Sequence, residues 1–131
     1  MREILFRGKI TDNGEWVEGY YCLIPAGYGI SEEDIHEITT INCNHSWEVD
    51  PATVGQYTGL TDKNCKKIFE GDIVDILTEN EELGLVVYED GGFLVEADGF
   101  CVDFHANING TDLEVIGNIH DNPELLKGDK V

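Results

Sequence analysis

The sequence predicts a mainly β fold: one compact domain over residues 1–131, built of antiparallel hairpins, barrel-like or folded as a mixed sheet, with one or two short helices. Three observations carry this. Apolar residues recur at every second position in short runs: from Arg2 to Ile10, Ile4, Phe6, Gly8 and Ile10 share one side and Leu5, Arg7 and Lys9 the other. Pairs such as Asn13-Gly14 and Asp90-Gly91 interrupt these runs in the manner of hairpin turns. Hydrophobic residues make up 41% of a 131-residue chain, enough to bury a core without disulfide support.

Taken in order, Arg2 to Ile10 is a strand, "TDNG" its turn, and Glu15 to Ile24 the returning strand, rich in Trp16, Val17, Tyr20 and Tyr21. Pro25 to Gly29 is a loop. "SEEDIHEI" predicts a short helix, with Ser31 as cap and Asp34 three residues on. Thr39 to Val49 holds a strand ending near Trp47. After Pro51 come turn residues around Gly59 and "DKN", a brief apolar step at Ile68-Phe69, and a turn at Gly71 leading into "DIVDIL". "LGLVVYEDGGFLVEA" is the clearest hairpin, Leu83 to Tyr88 returning as Phe93 to Ala97. "FCVDF" and "DLEVIGNI" add two strands. In "DNPELL", Asn122 is placed as cap and Pro123 at the first position of a terminal helix. Six to eight short strands in one chain imply an antiparallel β domain.

The stretch "VDPATVGQYTGLTDKNCKKIFEGDIV", Val49 to Val74, resembles the signature of the YopX family of small phage and prophage proteins. The opening "MREILFRGKI" and closing "EVIGNIHDNPELL" are similar to the family's two ends. The resemblance implies a compact β-rich fold and a phage or prophage origin, and it implies no activity. Family members commonly carry Gly where this chain has Cys65. A Cys resists φ > 0 where Gly does not, so the tightest form of that turn is not expected here.

Four kinds of chemistry fail on the residues. A calcium loop starting at Asp62 needs Gly at its sixth position and an acid at its twelfth, where the chain has Lys67 and Ile73. Gly55, Gly59 and Lys63 lack the Gly-Lys-Ser/Thr ending of a phosphate loop. Cys43-x-His45, with Cys22, Cys65, Cys101, His36, His105 and His120, lacks the paired spacings of structural zinc. Ser31 and Ser46 sit in no nucleophile elbow. Adjacent acids such as Glu32-Glu33 and Glu89-Asp90 are expected by chance in a chain with 27 carboxylates, and so identify no general acid and base. The reading is therefore non-enzymatic, with no cofactor and no metal.

The Val49–Val74 motif reads better as architecture. Gly55, Gly59 and Gly71 mark reversals, Asp62 and Asn64 bond their own backbone, and Lys63, Lys66 and Lys67 balance Glu70 and Asp72. Val54, Leu60, Ile68, Phe69, Ile73 and Val74 are candidate core. If the motif carries an interaction surface, Tyr57, Asp62, Lys63, Glu70 and Asp72 are its candidates. Eight basic residues against 27 acidic ones give a net charge of −19, which repels phosphate backbones and disfavours direct nucleic-acid binding or docking on anionic membranes. With a charged N-terminus and no apolar run of about 18 residues, the chain is expected in the cytoplasm with reduced thiols. The expected role is a phage accessory protein acting by protein–protein contact, as a homo-oligomer or with a host or phage protein. The alternative is an acidic nucleic-acid mimic that inhibits a basic host protein.

Overall fold

Phe6–Lys9 (β1) and Trp16–Ile24 (β2) form the opening hairpin, in register from Phe6↔Gly19 to Lys9↔Trp16. The turn uses Gly14 at φ 73, while the Asn13 side-chain oxygen accepts from the Glu15 amide at 2.9 Å. The structure is a computed structural model and describes residues 4–28, 32–42, 45–77, 82–89, 91–97, 100–103 and 112–128. It comprises two compact units, Met1–Tyr57 and Thr58–Val131.

In the first unit Ile35–Thr39 (β3) pairs with β2, from Tyr20↔Thr39 to Ile24↔Ile35, and Ser46–Glu48 (β4) pairs with β3. The helix expected over Ser31 to Ile38 is thus replaced by a strand from Ile35. An isolated two-turn helix is marginal in water, whereas pairing with β2 satisfies the backbone and lets Ile38 become fully buried. Ser31, its expected cap, lies outside the described residues. The strand expected to end near Trp47 is β4.

The far end of β4 folds back to β1. Ile10 and Val49 make an isolated antiparallel bridge, the Thr11 amide donates to the Glu48 carbonyl at 3.0 Å, and the Asp50 amide donates to the Lys9 carbonyl at 2.9 Å. Asp50 then starts a 3-10 turn, Pro51–Thr53, by accepting from the Ala52 amide, and the Thr53 hydroxyl accepts from the Lys9 amide at 2.8 Å. Curling the sheet this tightly requires glycine at its inner contacts. A Cβ on Gly8 would lie 3.2 Å from Ile38 and Val49, and one on Gly19 only 2.0 Å from the Thr39 carbonyl oxygen. Among the described residues of this unit, Leu5, Ile10, Ile38, Val49 and Tyr57 are the buried apolar ones.

Gly55–Thr61 (β5) carries the chain from one unit to the next. Its first residues pair with β1, as Phe6↔Gln56 and Arg7↔Gly55, and its later ones neighbour Lys67–Phe69 (β6). Gly55 and Gly59 are therefore strand residues and not the expected reversals. Gly59 takes φ 91 within the strand, which glycine does without strain.

Asp72–Ile76 (β7), Glu82–Glu89 (β8), Gly92–Ala97 (β9), Phe100–Asp103 (β10) and Leu113–Asn118 (β11) form a five-stranded antiparallel sheet ordered β10-β9-β8-β7-β11. The expected hairpin forms as β8–β9, in register through Val86↔Val95 and Tyr88↔Phe93. Alternation puts Val74, Ile76, Val86, Phe93, Val95 and Leu113 into one buried cluster with Ile68. Among the described residues the fold is mainly β, as predicted, with the strands in two sheets, neither of them a closed barrel.

The terminal helix, Glu124–Gly128 (α1), begins one residue after Pro123. The Asn122 side-chain oxygen turns back to accept from the Asn118 amide at 3.3 Å, so its observed bond is to the end of β11 and not to the helix.

β6 and β7 are joined by Glu70-Gly71, with Gly71 at φ 93. Its amide donates to the Val86 carbonyl and its carbonyl accepts from the Ile119 amide, both at 2.8 Å. Gly71→Val forces a β-branched residue into the left-handed region and is expected to cost roughly 2–3 kcal/mol. Glu89→Ala, at an exposed position, should stay within about 0.5 kcal/mol of the parent. Urea unfolding of both variants measures the difference, and equal midpoints would remove the turn's claimed role.

Candidate functional site

Of the five residues expected to form an interaction surface, Asp62 is the most constrained. Its side chain is 2% exposed. One carboxylate oxygen accepts from the amides of Asn64 at 2.8 Å and Lys66 at 2.9 Å, and the other accepts from Val115 on β11 at 2.9 Å. Burial alone would raise the Asp62 pKa. The three amides of Val115, Lys66 and Asn64, with the Lys66 charge, outweigh it and hold the carboxyl below its ordinary 3.8. This carboxylate is a structural hub that pins the 62–66 turn to β11.

Tyr57 is 7% exposed and donates its amide to the Leu5 carbonyl at 2.8 Å. Asp72 is buried and accepts from the Phe69 amide at 2.8 Å, which closes the Glu70-Gly71 turn. Tyr57, Asp62 and Asp72 are therefore buried, the two carboxylates turned inward to accept from backbone amides. Glu70 is half-buried in the β6–β7 turn. Lys63 is exposed, and its ammonium stands 3.4 Å from the Glu114 carboxylate. The expected balance of Lys63 against Glu70 and Asp72 is thus replaced, for Lys63, by a partner on β11.

Cys65 takes φ 64, alone among the described non-glycine residues in having a positive φ. The tight turn expected to be lost with Cys at this position is formed. Its amide donates to the Asp62 carbonyl at 3.0 Å, and the Asp62 amide donates to the Lys66 carbonyl at 2.8 Å. Together with the carboxylate's own bonds these over-determine the turn, which is how a strained residue persists.

In the first unit a different set of residues meets. An open cleft of about 420 Å³ is walled by Glu33, Asp34, Glu48 and Asp50, with His36 and Pro51 also lining it. Asp34 is fixed by accepting from the Ala26 amide at 2.8 Å, as Asp50 is by capping the 3-10 turn. The His36 Nδ1 is bonded to the Tyr21 hydroxyl, and the two rings stack at 5.9 Å and 14°. Phe6 extends this series, its ring 5.5 Å from Tyr21. Burial first, then the neighbouring Cys22 and Asp34, raises the Tyr21 pKa above its ordinary 10.0. Leu23, directly across from His36 on β2, remains 45% exposed.

Sequence reasoning missed this cleft, because its acids look like any others in so acidic a chain. A signal was present in His36, which follows three consecutive acids at Glu32 to Asp34. As a metal site the arrangement has no support: among the described residues no group of three His, Cys, Asp or Glu side chains is arranged to hold an ion. Cys22 and Cys65 are free and exposed, while the Cys43 half of the Cys43-x-His45 pair lies outside the described residues. Both exposed thiols should react with a thiol reagent in the native protein, and all four cysteines after denaturation without reductant. A titration showing fewer than two thiols in the denatured sample would mean disulfides.

The model of the family described as YopX protein matches residues 5–127, through both units. The chain belongs to the YopX family. Among solved structures, this YopX chain is similar to the crystal structure of protein EF1440 from Enterococcus faecalis, at 28% identity and a TM-score of 0.58, covering 96% of this chain and 99% of that one. No curated protein matches the chain. In this YopX chain the signature's Asp62, Gly71 and Asp72 bond to backbone groups. Among the described residues, no helix is long and apolar enough to cross a membrane.

Proposed function

We propose that this YopX chain is a phage or prophage accessory protein that works in the cytoplasm by protein–protein contact, as a homo-oligomer or with a host or phage protein, without catalysing a reaction. One observation carries the reading: the first unit exposes large apolar side chains, Leu23 at 45% and Tyr28 at 85%, on the strand and loop that adjoin an open charged cleft. Apolar anchors beside polar groups are the composition of a contact surface. The residues of the signature most suited to chemistry, Asp62 and Asp72, are occupied with backbone amides.

The net charge of −19 favours a second reading, an acidic mimic of nucleic acid that inhibits a basic host protein. Such a mimic needs its carboxylates on one face. Here residues 1–57 carry ten acids against three bases, and residues 58–131 seventeen against five. Acidity in both units supports solubility as its main role. Light scattering of the purified chain, with a pull-down from host lysate at about 0.15 M salt with and without duplex DNA, separates the readings. A dimer or larger species supports the first. A DNA-binding protein that duplex DNA displaces supports the mimic. A monomer that retains nothing would sink both.

A further inference from the structure

We propose that the second sheet, on the face turned away from its buried cluster, docks a basic amphipathic helix of a partner protein, with a lysine or arginine of that helix at Asp75. The inference rests on the protein-contact reading and gives it a place in the second unit. Antiparallel sheets commonly bury one face and present polar residues on the other. This sheet is apolar on both. Val74, Ile76, Val86 and Val95 belong to the buried cluster, and alternation turns Ile73, Leu83, Leu85, Val87 and Leu94 the opposite way. The register sets these on one face with Asp75, through Ile73↔Leu85, Asp75↔Leu83 and Val87↔Leu94. Leu77, next in the same alternation, is 40% exposed.

Helix α1 already lies over one end of this face. A Cβ on Gly117, the partner of Ile73, would meet Leu125 at 3.0 Å, and Ile73 is fully buried. With five residues α1 is about 8 Å long, against about 19 Å for five strands side by side. Leu83, Leu85, Val87 and Leu94 remain only half-buried. A partner helix would continue the layer that α1 begins, in the way helices cover sheets.

Charge decides what that helix carries. One carboxylate oxygen of Asp75 is shielded from solvent and has no hydrogen-bond partner, an acceptor that gains from a donor brought by a ligand. Asp75 as a residue is half-buried, which leaves its carboxyl near the surface. Glu89 and Glu96 are exposed on the same side, and β7, β8 and β9 contain no basic residue. Glu114, across from Asp75, already has the Lys63 ammonium at 3.4 Å. Two copies packed face to face would oppose Asp75, Glu89 and Glu96 to their own likeness, so a cationic partner fits where a second copy does not.

The test titrates the full chain with three synthetic peptides of equal length at about 0.15 M salt. The first carries leucines at helical spacing with lysine and arginine between them. The second has glutamate in place of those bases, and the third has the first's composition in an order that breaks the leucine stripe. The first is expected to bind best and the second not at all, with wild-type amide NMR shifts centred on Asp75, Leu85 and Leu94. Asp75→Asn with Glu96→Gln should weaken binding about tenfold, and Leu77→Ser should weaken it as well. Glu15→Gln with Glu48→Gln, exposed in the first unit, makes the same change of charge and should leave affinity unchanged. Equal loss from both paired variants, or equal binding by the third peptide, would assign the interaction to overall charge and overturn the proposal. So would shifts centred elsewhere, full affinity in Leu77→Ser, no binding by the first peptide, or a dimer of the chain alone that buries this face. The shift map needs no variant to fold. Failure here, with an oligomer still seen by light scattering, refutes this docking face alone; a monomer that retains no lysate protein but binds the first peptide on β7 to β9 refutes the wider reading alone.

Discussion

Gly19→Ala is expected to unfold the first unit or to cost roughly 3 kcal/mol or more. The added methyl would sit 2.0 Å from the Thr39 carbonyl oxygen and 3.2 Å from the Ile38 side chain. The nearest atom is backbone, in the β2–β3 ladder that runs through Tyr20↔Thr39, so a side-chain rotation cannot relieve the contact. Either the ladder opens or β2 moves away from β3. Gly14→Ala is the comparison. It has nothing within 4 Å of a new Cβ but sits at φ 73, so its cost should be the left-handed penalty alone, about 1–2 kcal/mol. Urea unfolding compares them. A Gly19→Ala protein as stable as Gly14→Ala would mean that the strands do not approach this closely.

Asp62→Ala is expected to destabilise the second unit by roughly 2–4 kcal/mol. It strips the amides of Asn64, Lys66 and Val115 of a common acceptor. Asp62→Asn should recover little, because the amide nitrogen would face one of those N–H groups donor to donor. The depressed pKa gives the interaction a pH signature. Folding favours the ionised form, so the contribution is fully present above the ordinary carboxylate value of 3.8 and is lost as pH falls below it through the folded value. Wild-type and Asp62→Ala stabilities should therefore converge as acid titrates this group. A gap that stays constant down to full protonation would show that the charge is not what matters.

Local signals were legible in the sequence and distant ones were not. The β8–β9 hairpin could be read because alternation and its turn lie within one short run. The strand Ile35–Thr39 was misread as helix because Ser31 and Asp34 form a capping pattern on their own, whereas the pairing with Tyr20 to Ile24 that decides the outcome is not local. Asp62-x-Asn64 announced a turn that forms. Its anchor, the Val115 amide, could not be read, since nothing in a valine marks its backbone as a partner. The cleft fails for a related reason. It is assembled from residues 33–36 and 48–51 by β3–β4 pairing and the Ile10↔Val49 bridge, and each segment alone is an ordinary acidic loop.

The Asp62 hub also sets an order of events in folding. Its bonds to Asn64 and Lys66 span two and four residues, so they close on the fast timescale of short loops. The bond to Val115 spans 53 residues and waits for β11 to reach β7. Closing that longer loop costs only about (3/2)RT ln n in chain entropy, but the search slows the step, as it does for non-local β pairings generally. The left-handed Cys65 is thus expected to be adopted before the contact that secures the turn to the sheet. In a folding transition state, the two local bonds would be largely formed while the Val115 bond is still absent, so a single carboxylate would report both early and late structure.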